Sequence, residues 1–125
     1  TEQELSLREN DYAQYEYELE NALNVTKGKL PITVDMYTQY TNLEITPSAI
    51  IHYFETQLDL TFSDTEQVKL SILNNLRNNK EELSREIELS ILTGRCWRYF
   101  YSDLNGKTLD VYIDVDDLKD LLEPV

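Results

Sequence analysis

The sequence predicts an α+β domain: N-terminal helices (about 2–24, 47–58 and 64–78) packed on a C-terminal three-stranded antiparallel meander (about 85–92, 95–102 and 108–115), closed by a short terminal helix. Three observations predict it. Apolar residues recur at helical spacing through the first two-thirds of the chain and at alternate positions afterwards, the two periods that separate helix from strand. Asn105-Gly106 falls between two alternating runs, and Asn-Gly is the strongest short hairpin signal. At 125 residues and 41% hydrophobic content, the chain is the size of one domain, spanning 1–125, that folds around its own core.

Thr1 and Glu4 stand at capping-box spacing and open the first helix. Leu5, Tyr12, Tyr15, Leu19, Ala22 and Leu23 then fall within about 100° of one another, the width of a core-facing stripe. Glu2, Glu9, Glu16 and Glu20 line one side of that stripe, and Glu4, Asp11 and Glu18 line the other. Lys27-Gly28-Lys29 ends the helix with a flexible residue and the positive charge its dipole favours. Residues 30–45 fit two patterns. Ile32, Val34 and Met36 alternate as in a strand, while Val34, Tyr37 and Tyr40 also fit one side of a helix.

Thr46-Pro47 reads as an N-cap with proline at the first helical position, and Ile50, Ile51, Phe54 and Leu58 give that helix an inner face. Ser63 and Glu66 form a second capping box before Val68, Ile72, Leu73 and Leu76. Ile87, Leu89 and Ile91 alternate with Glu86, Glu88 and Ser90 as a first strand, although Lys80–Leu92 also fits a helix. The aromatic run within 95–102 and the alternating Leu109, Val111, Ile113 and Val115 supply the other two strands, with Thr93-Gly94 as a turn. A short acidic helix near 116–122 stops before Pro124.

Function is argued from charge. Residues 1–66 carry a net −10, residues 67–109 a net +2 and residues 110–125 a net −5, within a total of −13. Such a field attracts cationic partners and repels nucleic acid and anionic membrane surfaces, so direct binding to either is not expected. The lone cysteine, Cys96, excludes an internal disulfide, and with no basic-then-apolar leader the expected location is cytoplasmic.

No motif implies catalysis, a metal or another cofactor. His52 stands four residues after Ser48 and three before Glu55, but a relay needs such groups to converge on a substrate rather than to follow one another along a helix. Asp103-Leu104-Asn105-Gly106 places its glycine at the fourth position, where a calcium loop needs it at the sixth, and is better read as a hairpin turn. Cys96 lies beside Arg98 without a histidine near it in sequence to act as base.

The chain has 9 tyrosines, and tyrosine brings contact area with few rotatable bonds and a polar tip. Small, acidic, tyrosine-rich composition is similar to that of phage and plasmid proteins that inhibit defence nucleases. The expected function is therefore a non-enzymatic inhibitor, of anti-restriction or anti-CRISPR type, occupying the basic cleft of a nucleic-acid-handling nuclease or effector complex. Its contacts would be Glu9, Asp11, Glu16, Tyr17, Glu18 and Glu20 in the first helix, with Asp110, Tyr112, Asp114, Asp116, Asp117 and Asp120 near the C-terminus. An immunity protein or antitoxin against a cognate nuclease fits the same charge. A structural or accessory assembly subunit, with the tyrosines also allowing a homodimer, is the third reading.

Overall fold

The computed structural model describes residues 2–123, with side chains from residue 11 onward. Helix α1 (Glu2–Lys27) leads into strands β1 (Ile32–Thr33), β2 (Thr38–Ile45) and β3 (Ala49–Thr56). A single 3₁₀ turn (Leu60–Phe62) precedes α2 (Thr65–Asn78) and α3 (Lys80–Leu92). Strands β4 (Cys96–Ser102) and β5 (Thr108–Ile113) and helix α4 (Val115–Leu122) follow. The strands form one mixed sheet in sequence order, antiparallel throughout except that β3 and β4 run parallel.

This architecture corrects the expected one at two elements. Residues 47–58 are not a helix. Thr46-Pro47-Ser48-Ala49 is the β2–β3 turn, closed by the Thr46 amide donating to the Ala49 carbonyl at 2.8 Å. The Thr46 hydroxyl oxygen accepts from the Ala49 amide at 3.0 Å, so the same capping chemistry serves a turn here. Ala49, Ile50, Ile51 and His52 are buried in succession, so the first half of the strand shows no alternation of apolar and polar residues.

Residues 85–92 are not a strand. They end α3, which opens with Glu81 and Glu82 in its first turn, where the helix dipole favours anions. It closes in a Schellman motif: Gly94, at φ 70°, donates its amide to the Ile91 carbonyl at 3.1 Å, and the Arg95 amide reaches the Ser90 carbonyl at 2.8 Å. The three-stranded antiparallel meander therefore does not exist. Of its three segments only β4 and β5 are strands, paired as an antiparallel hairpin, and β4 joins β3 in parallel through the α2–α3 crossover.

Smaller corrections concern caps. The N-cap of α2 is Asp64, accepting from the Glu66 amide, and not Ser63. The Thr1–Glu4 pair lies outside the described side chains. Helix α4 opens with a reciprocal capping box between Asp114 and Asp117.

All four helices lie on one face of the sheet. That face presents Leu43, Ile50, His52, Phe54, Trp97, Tyr99, Val111 and Ile113, buried against Leu19 and Leu23 of α1, Ile72 and Leu76 of α2, Ile87 and Leu89 of α3 and Leu118 of α4. Leu19, Ile87 and Leu89 are 0% exposed, and complete burial of one such side chain contributes about 1.5–3 kcal/mol. The opposite face carries Glu44, Tyr53, Arg98, Phe100, Asp110 and Tyr112 and has no helix over it.

Candidate functional site

Parallel pairing brings His52 of β3 beside Tyr99 of β4, with Ile50 beside Trp97 and Phe54 beside Tyr101. Side chains on one face of adjacent strands are near neighbours, so the pairing builds an aromatic sheet surface beneath the helices. The His52 ring stacks on Tyr99 at 4.8 Å between centroids and meets Trp97 edge-on at 5.4 Å. Tyr40 of β2 stacks on Phe54 at 4.9 Å, and its hydroxyl lies 2.6 Å from His52 Nδ1.

The helices do not fill the space above this surface. A pocket of about 190 Å³ remains, lined from the sheet by Tyr40, His52, Phe54, Trp97 and Tyr99. From the helices it is lined by Leu23, Thr26, Leu76, Leu83 and Glu86. A cavity of about 150 Å³ holds a benzene ring, whereas drug-sized ligands occupy roughly 300–1,000 Å³. The pocket is therefore scaled to one aromatic or leucine-sized group.

His52 supplies the polar atom. It is 9% exposed, and its Nε2 has no hydrogen-bond partner among the described residues. Burial lowers its pKa to about 3, so the ring is neutral at physiological pH. A phenol is the stronger donor of the Tyr40–His52 pair. With the Tyr40 hydroxyl donating to Nδ1, the neutral His52 ring carries its own proton on Nε2, which is buried and has no partner among the described residues. Glu86, half-buried on the pocket wall, has its carboxyl pKa raised by burial. Burial likewise raises the Tyr40 and Tyr99 phenols above their usual range.

The catalytic groups considered in the sequence do not converge. Glu55 points to the face of the sheet opposite His52, and Ser48 lies in the β2–β3 turn. The Cys96 thiol is pushed up by burial, which keeps it protonated. Asp103 turns inward on its own loop, accepting from the Asn105 and Lys107 amides at 2.9 Å each. Among the described residues, no three His, Cys, Asp or Glu side chains meet as a metal site would need.

The acidic positions serve the fold and are dispersed over it. Glu16 accepts from buried Arg95 at 2.9 Å, while Arg95 Nε donates to the Thr46 carbonyl at 2.8 Å. Glu18 pairs with Arg85 of α3 at 2.8 Å, which holds its carboxyl below the usual range. Asp110 is ion-paired with Arg98, whose guanidinium lies 5.0 Å from the Tyr112 ring centroid. Asp114 and Asp117 cap α4, and Asp117 also meets Lys69 at 3.1 Å.

Asp11, Tyr17, Glu20, Asp116 and Asp120 are exposed, and Glu9 lies outside the described side chains. Asp110 and Tyr112 occupy the helix-free face of the sheet, whereas α1 and α4 lie on the other, so these positions do not form one acidic surface. Sequence reasoning missed the pocket. Its signal was present in the alternation of Trp97, Tyr99 and Tyr101 and of His52 and Phe54, which shows as one surface only once the two strands are placed side by side.

No family model matches the sequence, and no curated protein matches it either. Two solved structures share the fold. One is the pilotin EpsS of the Vibrio vulnificus type 2 secretion system, at TM-score 0.61 and 15% identity, over 93% of this chain and 98% of that one. The other is a protein of Pseudomonas aeruginosa described as secreted, at TM-score 0.59 and 11% identity, over 84% of this chain and 93% of that one.

These likenesses overturn the expected function, partner and location. The fold is that of a secretion pilotin and a secreted protein, so the nuclease inhibitor, the immunity protein, the basic nuclease as partner and the cytoplasmic location are withdrawn. The physical reason for the error is that the charge count treated Glu16, Glu18, Asp110, Asp114 and Asp117 as free, whereas each is engaged within the fold.

Proposed function

We propose that the chain is a pilotin-like protein of a secretion apparatus, which performs no chemistry and holds a segment of a partner protein. One apolar side chain of the partner enters the pocket beneath α1, and a carbonyl oxygen next to it accepts from His52 Nε2. The pocket carries this reading: it is apolar, sized for one side chain, and His52 on its wall has a buried Nε2 without a partner among the described residues. The shared fold of the Vibrio pilotin supports the setting. Binding of this kind needs complementarity at a few anchors rather than a large area.

The partner to test first is a secretin, the outer-membrane component of such an apparatus. Calorimetric titration with soluble segments that tile the secretin from the same genome is expected to show binding of one of them. Thr26→Phe, at the half-buried rim of the pocket, is expected to fill it and weaken binding at least tenfold without lowering Tm. Failure of every segment to bind, or equal binding to the filled variant, overturns the proposal.

A further inference from the structure

A second surface lies at one end of the sheet. The β1–β2 turn, the segment after β3 and the β4–β5 hairpin tip all emerge there, because Thr38 pairs with Thr56 while β4 runs parallel to β3. The three loops are tied together. The Gln57 amide donates to the Tyr37 carbonyl at 2.8 Å, and the Leu60 amide donates to the Asp103 carboxylate at 3.0 Å. Leu104 of the hairpin shares a concavity of about 290 Å³ with Met36 and Tyr37.

These bound loops hold apolar side chains in water. Phe62 is 90% exposed, Leu104 81% and Met36 79%, with Val34, Leu58 and Tyr37 also exposed. Single exposed apolar residues are ordinary, but a group of them on loops fixed to one another marks an interaction site. Asp35 and Glu55 line the same concavity, and Asp59 and Asp103 lie near each other in the tied loops, against Lys107 as the only cation in the three loops. The Thr61 hydroxyl and then its amide hold Asp59 below the usual carboxylate range, and the Leu60 amide foremost holds Asp103 there, so both stay charged.

That rim decides the occupant. A second copy would bring the same carboxylates against themselves, and an anionic lipid surface would be repelled. We infer that this end of the sheet docks a protein segment whose apolar side chains are flanked by lysine or arginine. It is separate from the His52 pocket and does not depend on the secretion reading.

The test uses a synthetic twelve-residue peptide in which Leu and Phe are flanked by Lys and Arg, and a control peptide with Glu in place of every cation. Fluorescence anisotropy is expected to show binding of the cationic peptide alone, weakening as salt rises. The triple variant Met36→Ser, Phe62→Ser, Leu104→Ser keeps the net charge, and it is expected to bind at least tenfold more weakly. Asp35→Asn with Glu55→Gln is expected to weaken binding severalfold, since the asparagine side chain keeps the acceptor that meets the Tyr37 amide.

Should the triple variant not fold, Phe62→Ser alone carries the same expectation at threefold or more. Thr26→Phe is expected to leave this binding unchanged, which separates it from failure of the pocket. Equal binding by the apolar variants, equal binding of the acidic peptide, no binding of either, or concentration-dependent self-association blocked by the triple variant would each overturn the inference.

Discussion

His52 concentrates the chemistry of the interior in one ring. It is held neutral by burial, braced by Tyr40 on one nitrogen and enclosed by Trp97 and Tyr99. Its folded pKa of about 3 lies below the ordinary value of 6.5, so below pH 6.5 the unfolded chain takes up a proton that the native chain refuses. The stability this neutral ring provides is whole above pH 6.5 and is lost as pH falls toward 3. Between about pH 7 and about pH 4.5 the loss assigned to His52 is roughly 2–3 kcal/mol. Urea denaturation at the two pH values is expected to show that loss in the wild type and to show it reduced by that amount in His52→Phe. Equal pH sensitivity of the two proteins would show that a proton does reach the ring in the folded state.

Among the elements, α3 is fixed by its ends more than by its apolar pattern. Ile87, Leu89 and Ile91 satisfy a two-residue period, yet Ile87 and Leu89 are buried from a helix whose first turn carries carboxylates and whose last turn needs glycine. A Cβ added at Gly94 meets no atom within 4 Å, so the cost of Gly94→Ala is conformational alone, about 1 kcal/mol for a side chain held at φ 70°. Gly28→Ala, where the backbone is not left-handed, is expected to be near neutral, and thermal denaturation of both variants checks the contrast.

The same comparison explains what the sequence made legible. Helix α1, helix α2 and the β4–β5 hairpin follow local signals that no distant contact contradicts. Strand β3 was not legible, since Thr46-Pro47 suits a helix start and a turn equally, and its first four residues, all buried, carry no alternation. The pocket was illegible for the same reason, because its walls require β3 to be a strand lying beside β4.

At the scale of the whole molecule, a net −13 works against compactness even though several carboxylates are paired. Exposed pairs such as Glu18–Arg85 contribute little, and their loss in salt is small beside the relief of repulsion among Asp11, Glu20, Asp116 and Asp120. Raising the salt from about 0.1 M to about 1 M shortens the screening length from about 10 Å to about 3 Å. Tm is expected to rise by a few degrees in a scanning experiment with sodium chloride. A fall would mean that the Arg95–Glu16 and Arg98–Asp110 pairs outweigh the repulsion.

The parallel junction of β3 and β4 also sets the order of events during folding. Helix α1, the β2–β3 hairpin and the β4–β5 hairpin can each begin to form from nearby residues, whereas His52 meets Tyr99 only after the 39 residues between Thr56 and Cys96 have closed into a crossover. The walls of the pocket are thus assembled by the slowest kind of contact the fold contains. A chain whose crossover has not closed can have helices and hairpins but lacks the pocket between His52 and Tyr99, so the pocket itself reports that folding is complete.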